Sequence, residues 1–221
     1  MNNQPEIFQK KYWEREKLNS RRSPNHAVVF SFANSKINEI KKVITLDQTT
    51  TLLDVGAGNG FFSYPFAKIC QVTAIDYSEK MIELNPAKTK MVMDANYLNF
   101  TDDSFDVVFE SCMLHHVKDC DKIIDEMIRI SKEYIVIIEP NRNNPLTFMF
   151  GLLNKEERKS LRFSLNYLKK KLKNHNLKIL SAFSHGAIAP NKVPEILLPI
   201  FEKIDKKIPI FGLDNVIICK K

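Results

Sequence analysis

Residues Leu52 to Phe62 read LLDVGAGNGFF: an apolar run, an acid, and then Gly56, Gly58 and Gly60 in quick succession. Glycine has no Cβ, so such a loop turns tightly and lets a ligand approach the main chain. The first N–H groups of a following helix then face that ligand. The order apolar run, glycines, helical pattern therefore predicts a nucleotide-type ligand at the carboxyl end of a first strand. GAGNG is not the dinucleotide fingerprint GxGxxG, because the third glycine comes one place early and Phe61 stands where the last glycine belongs. A bulky residue there disfavours a pyrophosphate, and Asp54 just before the loop suits a ligand with a cationic portion.

Short apolar runs alternate with helical patterns outward from this loop. TLLDV precedes a helix expected over about 59–69, VTAID precedes one opened by Ser78, KMVMD follows, and FDVVFE precedes one over about 121–130 that leads to YIVIIE. Alternating strand and helix predicts an α/β, Rossmann-like doubly wound sheet with helices on both faces. Residues 95–104 are too few for a full crossover helix. Two helices are expected ahead of the glycines, over about 5–19 and from Ser23-Pro24 onward. Residues 1–44 then form a helical segment packed on a domain spanning 45–221. Beyond Glu139 the sequence predicts a turn-rich PNRNNP, the apolar LTFMFGLL, a basic helix over about 164–175, the strand-like LKILSAFS, a proline-punctuated amphipathic stretch over 193–204 and a closing strand LDNVIIC. This tail is expected to join the same sheet, with insertions covering its ligand edge.

Five expected strands in succession finish on a carboxylate: Asp54, Asp76, Asp94, Glu110 and Glu139. Open parallel sheets bind ligands at the carboxyl ends of their strands, near the point where strand order reverses, so these acids are expected along one rim. Asp76 follows Gly58 by 18 residues, the position at which an acid accepts hydrogen bonds from ribose hydroxyls.

With these motifs the chain resembles a class I S-adenosylmethionine (SAM)-dependent methyltransferase, of the type 11, small-molecule branch. LLDVGAGNG is similar to the first motif of that family, VTAIDYSEKMIELN to the second, VMDANYLNFTDDSFDVVFESCMLHHV to the third and fourth, and ISKEYIVIIEPNRNNP to the fifth. The resemblance implies seven strands with the last antiparallel, an amino-terminal helical lid, and SAM as cofactor. Asp54, Gly56, Ala57, Gly58 and Gly60 would hold its amino-acid end, Asp76 the ribose and Asp94 the adenine amino group. Tyr77 and Ala95 would flank the base, and Ser111 and Met113 would lie below the sulfonium.

Methyl transfer from a sulfonium is an in-line displacement that needs alignment and, for some acceptors, removal of a proton. His115 and His116, in MLHHV, are candidates for that base or for local packing. Two adjacent histidines point apart on most backbones, and no metal is expected. Glu139 either orients an acceptor or bonds the amides of its own loop; Asn141 and Arg142 carry the same alternatives. In the amino-terminal segment, Arg21 and Arg22 can grip an anionic acceptor, whereas Tyr12 and Trp13 fit better as anchors of a helix. LTFMFGLL can line a greasy acceptor pocket, form a dimer face or cover the sheet, and together with EILLPIFEKIDKK it can serve a lipid-like or polyprenyl-linked acceptor at a membrane surface; core or interface fits better.

Composition is globular, with 44% hydrophobic and 27% charged residues. No signal-peptide core and no run of about 18 apolar residues appears, so a cytoplasmic monomer or homodimer is expected. The net charge of +7 divides unevenly: residues 43–131 hold 14 acids and 7 bases, leaving 26 bases and 12 acids outside. Basic flanks leave room for an anionic partner. The leading expectation is methylation of oxygen, nitrogen or carbon in a small-molecule or lipid- or glycan-linked acceptor. Two others stay open: an RNA or tRNA methyltransferase, and a catalytically inactive SAM-binding regulatory subunit.

Overall fold

A computed structural model describes Glu14 and residues 21–221. The expected helix over 5–19, with Tyr12 and Trp13, lies outside the described residues. The helix begun near Ser23-Pro24 is α1 (Ala27–Ile40), capped by the His26 side chain, which accepts from the Val28 N–H. The strands follow in the expected order: β1 (Thr51–Val55), β2 (Gln71–Asp76), β3 (Thr89–Val92), β4 (Phe105–Ser111), β5 (Ser131–Pro140), β6 (Lys178–His185) and β7 (Asp214–Lys220). They form one sheet in the order β3-β2-β1-β4-β5-β7-β6. β7 runs antiparallel to both β5 and β6, and every other pairing is parallel. The tail beyond Glu139 thus completes the sheet, and strand order reverses between β1 and β4.

Strand side chains alternate between two cores, as a period of two requires. Leu52, Val107, Phe109, Val136 and Val216 face one side, against Val28, Phe32 and Ile37 of α1 and Phe66 of α2 (Ser63–Phe66). Leu53, Val108, Ile135 and Ile217 face the other. There they meet Ile123, Ile124 and Met127 of α4 (Cys120–Ile130) and Leu168 and Leu172 of α6 (Leu165–Asn174). Side-chain caps open the later helices, Ser78 among them as expected, while α1 is capped by His26 rather than by Ser23. Ser78 accepts from the Met81 N–H to open α3 (Glu79–Glu83), Asp119 caps α4, and Ser164 accepts from the Tyr167 N–H to open α6. Lys36 on α1 is fully buried, its Nζ 3.1 Å from Asp214 Oδ2 and 3.6 Å from the centre of the Phe32 ring, which ties α1 to the start of β7.

One element is shorter than its sequence suggests. The helix expected over about 59–69 is only α2, because Gly58 and Gly60 take φ of +52° and +92° and keep the chain in turns until Phe62. After β5, Asn144 caps α5 (Pro145–Leu153), which carries LTFMFGLL. A 3-10 segment, Lys155–Arg162, follows it. The amphipathic stretch over 193–204 becomes a 3-10 turn, Glu195–Leu197, and α7 (Leu198–Ile204). Among the described residues, no helix is long and apolar enough to cross a membrane.

Candidate active site

β1 delivers Asp54 and β2 delivers Asp76 to the strand ends beside the order reversal, where a cavity of about 710 Å³ opens. Its wall contains Asp54, Gly56, Ala57, Gly58, Asp76, Tyr77, Asp94, Ala95, Ser111 and Met113, ten of the eleven residues expected to hold cofactor. The eleventh, Gly60, is outside the wall. A Cβ there would sit 2.6 Å from Pro86 Cδ, so Gly60 serves close approach of the loop to 85–86.

Gly56 adopts φ +68° and Gly58 φ +52°. A Cβ on Gly56 would lie 2.6 Å from Met113 Cγ, so any other residue would drive a side chain into the β4 loop. The Gly58 N–H donates to Asp76 Oδ2 at 2.8 Å and the Ser78 N–H to Asp76 Oδ1 at 2.8 Å. One carboxylate therefore sets the glycine loop and the start of α3 together. Burial pushes the Asp76 carboxyl above its ordinary value, opposed by those two N–H groups and by Arg21. Asp54 is held more tightly. Its Oδ2 accepts from Ser63 Oγ at 2.6 Å, and burial pushes its carboxyl up to about 7, with Asp76 adding repulsion. Two carboxylates raised by desolvation, one buried and one half-buried, make a wall that favours a cation.

Replacing Asp54 by asparagine is the direct check on that wall. The folded-state pKa lies above the unfolded value, so stability falls as pH rises from about 3.8 to 7, and the full penalty is present above 7. At pH 8, Asp54→Asn is expected to gain roughly 1–3 kcal/mol in urea unfolding, and to bind a sulfonium cofactor about tenfold or more weakly. A variant no more stable than the parent at pH 8 contradicts the burial penalty.

Arg21 meets the loop from the other side. Its Nε donates to Asn59 Oδ1 at 2.8 Å, its guanidinium lies 4.2 Å from the centre of the Phe61 ring, and the Asn59 amide donates to the Arg22 carbonyl at 2.9 Å. Burial lowers the guanidinium below its ordinary value, against attraction from groups that include Asp76 and Glu157. An arginine stays protonated regardless. Phe61 thus supplies an aromatic face for a cation above the glycine loop. Arg22 braces a different segment, donating from Nη1 to the carbonyls of Pro190 and Val193 at 3.0 and 2.8 Å.

The five strand-end acids do not share one role, which corrects the expected common rim. Asp54, Asp76 and Asp94 line the cavity, whereas Glu110 and Glu139 are fully buried outside its wall. Glu110 accepts from the Met113 N–H at 3.3 Å, and Glu139 Oε1 from the Leu114 N–H at 2.8 Å. Burial first, then Glu139, pushes the Glu110 carboxyl well above its ordinary value. Both acids hold the loop after β4, where Cys112 takes a left-handed φ of +56° and its N–H bonds the Ile138 carbonyl at 2.8 Å. Glu139 makes the amide bond of the loop-anchor reading and stands outside the cavity wall.

Glu139 also grips His115, Oε2 to Nδ1 at 2.6 Å, while His115 Nε2 lies 3.2 Å from Glu157 Oε2. Burial pulls the imidazole down, but attraction and hydrogen bonds from Glu139 and Glu157 outweigh it and push it up to about 10. That shift favours the protonated imidazole at neutral pH. The histidine rings do not point apart as expected. Their centroids lie 3.9 Å apart, and His116 Nε2 is 3.9 Å from the same Glu157 oxygen. Among the described residues, these three side chains bring their ligand atoms within 4.8 Å of one another, close enough to share a metal ion. An imidazolium at His115 already balances the carboxylates that flank it.

Several wall residues escaped the sequence reading. Glu157 arrives from the 3-10 segment inside a basic run, and Lys155, Lys159 and Lys192 line the cavity from the tail, beside Phe150 of the LTFMFGLL stretch for which a pocket role was one expectation. Asn141 and Arg142 stand apart from the cavity wall; Asn141 Nδ2 donates to the carbonyls of Ile210 and Gly212 at 2.6 and 2.9 Å and so braces the loop before β7.

The Methyltransf_11 family, described as a methyltransferase domain, matches residues 53–136. Among curated proteins, the chain is 26% identical over 126 residues to a phosphatidylethanolamine N-methyltransferase of Cereibacter sphaeroides, covering 51% of this chain and 62% of the relative. It is 32% identical over 99 residues to a demethylmenaquinone methyltransferase of Streptomyces avermitilis, covering 42% and 43%. The chain thus spans less than two thirds of the length of these relatives. A solved SAM-dependent methyltransferase of Thermotoga maritima superposes with a TM-score of 0.69 over 98% of this chain and 99% of that one, at 20% identity. The chain thus carries a methyltransferase domain over residues 53–136, set in the Rossmann-like sheet with antiparallel β7 that the solved SAM-dependent methyltransferase shares.

Proposed function

We propose that this protein binds SAM in the cavity at the ends of β1 and β2 and transfers its methyl group to an acceptor with an apolar body. The observation that carries the reading is the pair of carboxylates, the buried Asp54 and the half-buried Asp76, flanking a loop with two left-handed glycines in one cavity wall. The residues fit such a cofactor. Asp54 would take its ammonium, Arg21 its carboxylate, Asp76 the ribose hydroxyls and Asp94 the adenine amino group. When bound, SAM supplies a methyl group on a cationic sulfur. Ser111, Cys112 and Met113 would form the floor that aligns donor and acceptor, and His115 stays protonated, so the chain contributes alignment and exclusion of water rather than a histidine base at that position.

An apolar acceptor is supported by Phe150, which brings α5 into the cavity wall, and by the relatives named for phosphatidylethanolamine and demethylmenaquinone. Lys155, Lys159 and Lys192 in the same wall suit an anionic group on that acceptor. Isothermal titration should show saturable binding of SAM and of S-adenosylhomocysteine. Incubation with methyl-labelled SAM and fractionated cell extract should then place label in the lipid fraction. Label in RNA would move the function to nucleic acid. Cofactor binding without label in any fraction would favour a regulatory subunit, and a well-folded protein that binds neither compound sinks the reading.

A further inference from the structure

We infer that α5, together with the loop before β7, is an interfacial anchor that docks on a bilayer containing anionic lipid. Helix α5 has no charged residue, and Gly151 alone among its residues is buried. Leu146 and Leu153 are 73% and 77% exposed, with Phe148 and Met149 also open to solvent. A surface helix of a globular protein normally turns one apolar stripe inward and shows polar residues outward. This one is apolar on its outer face.

The loop before β7 extends the same surface. Asn144, the cap of α5, donates from its Nδ2 to the Phe211 carbonyl at 2.6 Å, and Thr147 Oγ1 donates to the Leu213 carbonyl at 3.3 Å. That pins the loop beside the start of the helix. Ile210 and Phe211 at its tip are 60% and 54% exposed. Ile210 takes φ +68°, a costly conformation for a β-branched residue, and it persists where it holds two large apolar side chains in water.

Charge identifies the occupant. Gly151 faces Leu161, whose Cδ2 would lie 2.9 Å from a Cβ at 151, so α5 rests directly on the 3-10 segment Lys155–Arg162. Lys155, Arg158, Lys159 and Arg162 of that segment are exposed, whereas Glu157 is buried against His115 and Glu156 is half-buried. An apolar face edged by cations suits an anionic lipid surface, in which the apolar side chains enter the headgroup boundary and each nearby cation adds attraction. A second copy fits less well, since a two-fold contact over α5 would bring two such basic segments together. Phe150 runs from this face into the cavity wall, so a docked molecule presents the cavity mouth to the bilayer. In that last step the inference rests on the proposed apolar acceptor; docking itself does not require it.

Flotation of the full chain with vesicles tests it, in the absence of SAM. With vesicles of phosphatidylcholine and about 30% phosphatidylglycerol, the protein is expected to float, with at least about tenfold weaker binding to phosphatidylcholine alone. Leu146→Glu with Phe211→Glu should weaken binding about tenfold or more, and Arg158→Glu with Arg162→Glu should abolish the preference for anionic lipid. Both double variants should keep the parent affinity for SAM in titration, which shows that they fold. Protein that binds SAM but does not float with anionic vesicles overturns the inference. So does a dimer in light scattering that Leu146→Glu converts to monomer without any change in flotation. Protein that floats yet binds no SAM supports the anchor and refutes the methyltransferase reading, so the two fail separately.

Discussion

Replacing Asp76 by alanine is expected to lower the affinity for SAM about 100-fold or more, since a hydrogen bond to a charged group contributes about 1.5–3 kcal/mol and a ribose offers two hydroxyls to this carboxylate. A second cost acts through the loop. Both Asp76 oxygens already hold main-chain N–H groups, Gly58 and Ser78, at 2.8 Å. Without them, the left-handed turn at Gly58 loses the bond that sets it, and binding must order the turn as well as fill it. Asp76→Asn keeps the shape but replaces a charged acceptor by a neutral one, with an expected loss of about tenfold. Titration calorimetry on variants whose circular dichroism matches the parent checks both values. If folded Asp76→Ala binds SAM within about threefold of the parent, the ribose assignment is wrong, and the carboxylate is only a loop brace.

Asp76 also illustrates what a sequence can show. The fold was legible because its signals are local and periodic: apolar runs of strand length, each closed by an acid, separated by helical patterns, one of them opened by Ser78. The glycine loop and the acids Asp54, Asp76 and Asp94 followed from that order, since chain direction alone brings the ends of parallel strands to one edge, whereas Tyr77, Ala95, Ser111 and Met113 came from the resemblance to class I methyltransferases. Roles set by tertiary packing were not legible. Glu110 and Glu139 end strands just as Asp54 and Asp76 do, yet the loop after β4 folds over them and uses them as amide acceptors. Glu157 sits in KEERKSLR with no pattern to mark it, and its place beside His115, 42 residues away, depends on Gly151 letting α5 rest on the segment that carries it. Arg21 was visible as a cation near the amino-terminal segment. That it faces the cofactor loop depends on Asn59, 38 residues on. The overlong helix after the glycines has a simpler origin, because left-handed φ at Gly58 and Gly60 cannot be read from spacing.

Glu139→Gln is expected to destabilise the protein by about 3 kcal/mol, the scale of a broken buried ion pair, with Glu139→Ala costing more because the Leu114 N–H then also loses its acceptor. The sign of the pH dependence distinguishes this from ordinary loss of fit. The folded-state pKa of His115, about 10, lies above the unfolded value of 6.5. Its contribution is therefore fully present below about 6.5 and is lost as pH rises from there to 10. In the parent, urea midpoints should fall steeply between pH 6.5 and 9.5. In Glu139→Gln the imidazolium keeps only Glu157, its pKa drops, and the slope over that window should flatten. Asp54 does not confound the comparison, because its penalty is complete above about 7 and is common to both proteins. A variant with a lower midpoint but an unchanged slope would show that Glu139 supports the loop through the Leu114 N–H alone. A flattened slope with unchanged SAM affinity would place the charged triad on the acceptor side of the cavity, where His115 and His116 form the wall that the cofactor assignments leave free.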